Sequence, residues 1–306
     1  MKAFCDVHLH NYLSNCSRNR AATAENMVYR AAELGIKTMG FANHIWDARV
    51  EGASAWYHKQ TLEFSMQIKN QIPADTRGVK VLIGAETEFC GQSGILGMTA
   101  EGARELDYLL IPHSHIHMLN FVMEDPAPFA EARAFLKGEL MKIPGMNREQ
   151  ADGWVDPMRE PALRPYIHTS TEGVPQYIAD FLVKSFEALL EHPELHKILK
   201  TTPVSIAHPF QHGNTEDRSI TVELVGDAVF ERLFKRTAEL GIGLEINPEC
   251  EEPAMIRMNA IAKACGCKFT IGSDAHAPTS MHSILRTEAA TEALGLTEED
   301  LMDFLR

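Results

Sequence analysis

Histidines and carboxylates recur along this chain at intervals that suit cation binding. Asp6-Val7-His8-Leu9-His10 closes a β-rich run. Residues two apart in extended backbone face the same side, so His8 and His10 can grip one cation together. Gly40-Phe41-Ala42-Asn43-His44 ends a second run, and Gly84-Ala85-Glu86-Thr87-Glu88 sets carboxylates at the end of a third. A fourth leads into Ile111-Pro112-His113-Ser114-His115-Ile116-His117, with histidines at alternate positions. Ser205-Ile206-Ala207-His208-Pro209 and Ile271-Gly272-Ser273-Asp274-Ala275-His276 complete the series. Neutral imidazole combined with carboxylate suits zinc, manganese or iron rather than a thiolate centre. Two such cations a few Å apart lower the pKa of a shared water and supply hydroxide near neutral pH. His208 or His276, where not fully engaged by metal, could protonate a leaving group.

The elements that must position these groups read as alternating strands and helices. Strands are predicted at Ala3–His8, Thr38–Asn43, Val79–Glu86, Tyr108–Ile111, Pro203–Ala207, Gly243–Ile246 and Lys268–Gly272, each a short apolar run bounded by turn residues. Helices are predicted between them at Ala24–Leu34, Ala55–Ile72, Val174–Glu191, Val222–Leu240, Ala254–Cys265 and Glu298–Leu305. That alternation implies βα units around a parallel sheet. A barrel of such units gathers the C-terminal ends of its strands at one face, where catalytic residues sit. Six of the seven predicted strands finish in a metal-competent residue, more than scattered histidines would produce by chance. From about Leu119 to Gly173 the rhythm breaks into a proline-rich stretch with short helical pieces such as Phe129–Met141. It is too long for an ordinary βα loop and is expected to be an insertion capping one barrel face.

The 306 residues are ordinary for a single α/β barrel domain. A net charge of −13 argues against a nucleic-acid partner, which needs a basic footprint. It leaves room for a small anionic substrate if bound cations reverse the field inside the pocket. No signal peptide and no apolar run of ~20 residues is evident, so no membrane association is expected. Cys5, Cys16, Cys90, Cys250, Cys265 and Cys267 are scattered without C-x-x-C spacing, which fits a reducing cytoplasm.

Taken in order, D-x-H-x-H, a strand-end His, G-x-E, a second strand-end His, A-H-P and G-S-D-A-H resemble the PHP (polymerase and histidinol phosphatase) superfamily. The resemblance runs from about Ala3 to Ala277 and is weakest over the proline-rich stretch. It implies a distorted (β/α)7 TIM-like barrel, two to three divalent metal ions (Zn, Mn or Fe), and hydrolysis of a small phosphorylated substrate. It also implies roles. His8 and His10 would hold one metal with Asp274 beside them. Glu86 would bridge two metals, with His115 at the neighbouring site, and His44, His208 and His276 would complete the coordination. His113 and His117 share the parity of His115 and compete with it. Glu88 is either a support behind the ligands or a solvated strand end, and Asp6 supports the H-x-H backbone.

Two positions depart from the pattern. Cys16 stands where many relatives have a histidine and is either a thiolate ligand or a structural cysteine, so the third metal turns on it. Glu245-Ile246-Asn247 is followed by Pro248-Glu249-Cys250-Glu251-Glu252, an acidic run where histidinol phosphatases of this type have a small-residue turn with an arginine. Arg18, Arg20, Arg49, Arg218 and Arg257 are the candidate phosphate-binding cations. The rival enzyme class, the amidohydrolases, also opens with H-x-H but typically bridges its metals with a carboxylated lysine after the fourth strand. No lysine stands there, and a glutamate on the third strand takes the bridging place. A barrel that binds metal without catalysis is the third reading. Neither the substrate nor the oligomeric state is legible.

Overall fold

The computed structural model describes residues 4–17, 19–115, 121–123, 134, 137–147, 174–211 and 220–306. Its strands are β1 (Cys5–Leu9), β2 (Thr38–Phe41), β3 (Lys80–Glu86), β4 (Phe89–Cys90), β5 (Ile95–Leu96), β6 (Tyr108–Ile111), β7 (Val204–Ile206), β8 (Gly243–Ile246) and β9 (Lys268–Ile271). β4 and β5 form a separate hairpin; the other seven make one parallel sheet in the order β1-β2-β3-β6-β7-β8-β9. Nearly every residue of those seven is buried, as expected of strands covered on both faces.

The sheet curls until its edges meet. Leu9 bridges Ala275, and the His10 N–H donates to the Ala275 carbonyl at 2.9 Å. Below that, buried Asp6 accepts from the Ser273 N–H at 2.9 Å and the Ser273 hydroxyl at 2.6 Å. The result is a nearly closed α/β barrel of seven parallel strands. The strand-end residues of β1 and β9 are thereby neighbours despite lying at opposite ends of the chain.

The helices are α1 (Ala24–Glu33), α2 (Leu62–Ser65), α3 (Ala100–Ala103), α4 (Val174–Leu190), α5 (Pro193–Ile198), α6 (Ile220–Leu224), α7 (Asp227–Glu239), α8 (Pro253–Ala264) and α9 (Thr287–Ala293). α1 shows why they form: Thr23 caps the Asn26 N–H, and Ala24, Met27, Val28 and Ala31 bury one face. At the N-terminal end of the barrel, Tyr108 crosses the interior. Its ring fills space left by Gly40 of β2 and Gly84 of β3, where any Cβ would collide with it. Its hydroxyl donates to the Val7 carbonyl at 2.6 Å, and the ring stacks on Phe304 at 5.3 Å.

Three predicted helices are broken. The segment 55–72 is a 3₁₀ turn, α2 and a second 3₁₀ turn, because the Thr61 side chain accepts from the Phe64 N–H and starts a new helix. The segment 222–240 is divided at Gly226, which caps α7. The segment 298–305 is two 3₁₀ turns around Leu301, which bridges Phe269 of β9. Most of the expected cap at 119–173, including about half of Phe129–Met141, lies outside the described residues. Of its start, Phe121 packs on Trp46 at 5.4 Å, and the Val122 carbonyl accepts from the Gln92 N–H at 2.9 Å.

Candidate metal centre

The C-terminal strand ends bring eight of the predicted residues into one cluster, centred on Glu86 at the end of β3. Its Oε2 lies 3.3 Å from His8 Nε2, 3.3 Å from His10 Nε2 and 3.2 Å from His44 Nε2. Its Oε1 lies 3.0 Å from His208 Nε2 and 3.6 Å from His115 Nε2. Asp274 Oδ1 approaches His10 Nε2 at 3.0 Å, His8 Nε2 at 3.6 Å and His276 Nε2 at 3.8 Å. His208 and Asp274 hold left-handed backbone conformations, with φ of 29° and 54°. Such strain in non-glycine residues concentrates at functional sites.

The donor set fits divalent cations. Nε2 of His8, both ring nitrogens of His10 and Nδ1 of His44 are buried without an aligned hydrogen bond, although carboxylate oxygens stand close by. Nitrogen and oxygen ligands at about 2.0–2.2 Å around a tetrahedral ion are roughly 3.3–3.6 Å from one another, the spacing found here. Three overlapping groups each bring one donor atom per residue within 4.8 Å of one another: His8, His10 and Asp274; His8, Glu86 and His208; and His10, His44 and Glu86. The carboxylates also call for positive charge. Although burial opposes it, Glu245, Glu86 and Asp274 raise the His8 pKa well above its ordinary value. In the same way the imidazoles outweigh burial to hold Glu86 well below the usual carboxylate range.

Behind the cluster, a second set of contacts fixes the rings. His8 Nδ1 is 2.7 Å from Glu245 Oε1, and Glu245 Oε2 accepts from the His208 N–H at 2.9 Å. His115 Nδ1 is 2.9 Å from Glu88 Oε2, which also accepts from the Tyr57 hydroxyl at 3.0 Å. His208 Nδ1 lies 3.1 Å from Ser114 Oγ, whose hydroxyl donates to the His208 carbonyl. An imidazole whose Nδ1 is engaged this way offers Nε2 as the ligand atom. Glu88 is therefore a buried support, and burial together with the charge of Glu86 raises its pKa to about 8. Asp6 is likewise buried and pushed up to about 7, burial outweighing the bonds it accepts from Ser273 and His8.

His115 and His113 do not share a face as their alternation suggested, because β6 ends at Ile111 and extended parity is lost beyond it. His113 points away from the cluster, edge-on to Phe186 at 4.9 Å and Phe210 at 4.8 Å, and burial lowers its pKa to about 3. His117 lies outside the described residues. Cys16 is half-buried beside the rim. The imidazoles of His10 and His44 overcome burial to bring its thiol down to about 3.

Among the described residues, the expected cations do not converge on this site. Arg49 is bound to Asp47 at 2.9 Å and Glu101 at 2.8 Å. Arg257 pairs with Asp227 and donates to the carbonyls of Val222 and Val225 at the end of α6. Arg20 is exposed, and Arg18 and Arg218 lie outside the described residues. Glu245 carried no assigned role in the sequence; its only signal was a carboxylate at the end of a predicted strand.

No protein-family model and no curated protein sequence matches the chain. Among solved structures it is similar to a histidinol phosphate phosphatase from Lactococcus lactis subsp. lactis, with a TM-score of 0.53 and 15% identity over 96% of this chain and 94% of that one. A D-hydantoinase from Thermus sp. gives a TM-score of 0.42 and 14% identity over 89% of this chain and 57% of that one. An N-isopropylammelide isopropylaminohydrolase from Burkholderia multivorans gives 0.36 and 16% over 93% and 60%. At these identities the first likeness speaks to the barrel fold. No helix among the described residues is long and apolar enough to cross a membrane.

Proposed function

We propose that the protein is a metal-dependent hydrolase that cleaves a phosphate ester of a small metabolite. One observation carries the metal reading. The Glu86 carboxylate sits between two sets of imidazoles, Oε2 toward His8, His10 and His44 and Oε1 toward His115 and His208, as a bridge between cations requires. These residues and Asp274 would hold divalent cations, which would supply Lewis acidity toward water and the scissile ester. The chain's own part is to hold the ligands still. Glu245, Glu88 and Ser114 fix the rings of His8, His115 and His208, and with Ser114 on its Nδ1 His208 would present Nε2 to a cation. The half-exposed rim at Asp274 and His276 is where substrate reaches the cluster.

The phosphoester class draws its support from the motif series and from a glutamate, not a modified lysine, in the bridging place. Metal analysis of the purified protein is expected to give at least two equivalents of zinc, manganese or iron, and His8→Ala or Asp274→Ala to remove turnover without loss of fold. A panel of phosphomonoesters run beside amides and lactones decides the class. Turnover confined to amides or lactones overturns the phosphatase reading, and full activity after exhaustive chelation overturns the metal reading.

A further inference from the structure

Resting on the metal-centre reading, the geometry points to an additional ligand: we infer that Cys16 binds a cation as thiolate together with His10 and His276. This forms a nitrogen–sulfur position on the solvent side of the carboxylate-bridged cluster.

One donor atom from each of His10, Cys16 and His276 lies within 4.8 Å of the others. His10 is fully buried, and neither of its ring nitrogens has an aligned hydrogen bond. It cannot turn away, because its ring is stacked between His44 at 4.8 Å and His276 at 4.7 Å, inclined by 18° and 19°. The loop carrying Cys16 is pinned on both sides. The Ser17 hydroxyl donates to the His276 carbonyl at 2.7 Å, and Ser14 Oγ accepts from the His44 N–H at 3.3 Å. Sγ is thus held against the imidazole column rather than free to swing into solvent, with Ser14 Oγ 3.2 Å away.

The chemistry of this position differs from that of its neighbours. Carboxylate and imidazole accept manganese, iron or zinc, whereas a thiolate shifts preference toward zinc and other softer ions. Two nitrogens and one sulfur leave a fourth tetrahedral place open to water or substrate. The centre is therefore chemically uneven, with a soft end at the rim and a hard bridge beneath it.

Cobalt(II) tests the assignment in the full-length protein by absorption spectroscopy. Wild-type protein is expected to show both visible ligand-field bands and a near-ultraviolet sulfur-to-cobalt charge-transfer band. Cys16→Ser and Cys16→Ala are expected to lose only the latter. Ligand-field bands without charge transfer in the wild type overturn the thiolate assignment and leave the rest of the cluster standing; no cobalt spectrum at all overturns the metal centre itself. A second readout needs no variant. Zinc is expected to slow iodoacetamide labelling of Cys16 on the order of tenfold, since a ligated sulfur is a poor nucleophile. The half-exposed Cys265 serves as internal control in the same peptide digest. Equal labelling of Cys16 with and without zinc overturns the inference.

Discussion

Glu245 serves two strands with one carboxylate, one oxygen on the His8 ring and the other on the His208 backbone. Glu245→Gln keeps the volume but replaces one accepting oxygen with a donor. It either loses the His208 N–H bond or presents an N–H to His8 Nδ1, which pushes that ring toward the wrong tautomer. Supporting groups of this kind typically contribute about 10–100-fold to metal affinity. Competition with a chromogenic chelator is expected to show a loss of that size, with circular dichroism unchanged; unaltered affinity would mean that His8 needs no such support. The sequence made Glu86 and His208 conspicuous but left Glu245 without a role, because its partner is 237 positions away. Arg49 misled for the same reason in reverse. It reads as a free cation until the fold brings Glu101 and Glu105 beside it.

At the level of elements, the ends of β7 and β9 turn sharply at His208 and Asp274 to aim their ligands, and Gly272 allows a close approach beside the second. A Cβ there would run into Glu245 Oε1 and His8 Cβ, so two ligand-bearing strands approach each other only because this position is bare. Gly272→Ala is expected to cost about 1–3 kcal/mol of stability through overpacking and, more tellingly, to weaken metal binding by displacing Glu245. Urea unfolding of the metal-free protein beside a metal titration separates the two effects. A variant that is destabilised yet binds metal normally would show that the contact relaxes away from the site. All seven barrel strands were legible, since each is a short apolar run whose burial follows from its composition. The helices were less so. Hydrophobic spacing runs straight through Thr61 and Gly226, whereas a side-chain cap at the first and a capping glycine at the second decide where the chain restarts. The β4–β5 hairpin, two residues per strand, is too short to leave a periodic signal.

For the molecule as a whole, the order of strands around the barrel turns a scattered series of motifs into one centre. Closure through Asp6 and Ser273 joins the first motif to the last. That convergence was legible because parallel strands must end on the same face. What the substrate is was not legible, because recognition groups come from loops whose partners only the fold assigns.

Tyr108, stacked on Phe304 and hydrogen-bonded across to Val7, makes the barrel a vessel with a sealed floor. Among the described residues the cluster opens at the other end, at the C-terminal strand ends, where Asp274 and His276 are half-exposed. For a phosphoester hydrolase built on that cluster, the released anion competes with the next substrate for the same cations. Inorganic phosphate is therefore expected to raise KM in proportion to its concentration while leaving kcat unchanged. Initial-rate kinetics showing a fall in kcat instead would mean that phosphate binds an enzyme form that still holds substrate, and so binds away from the cluster.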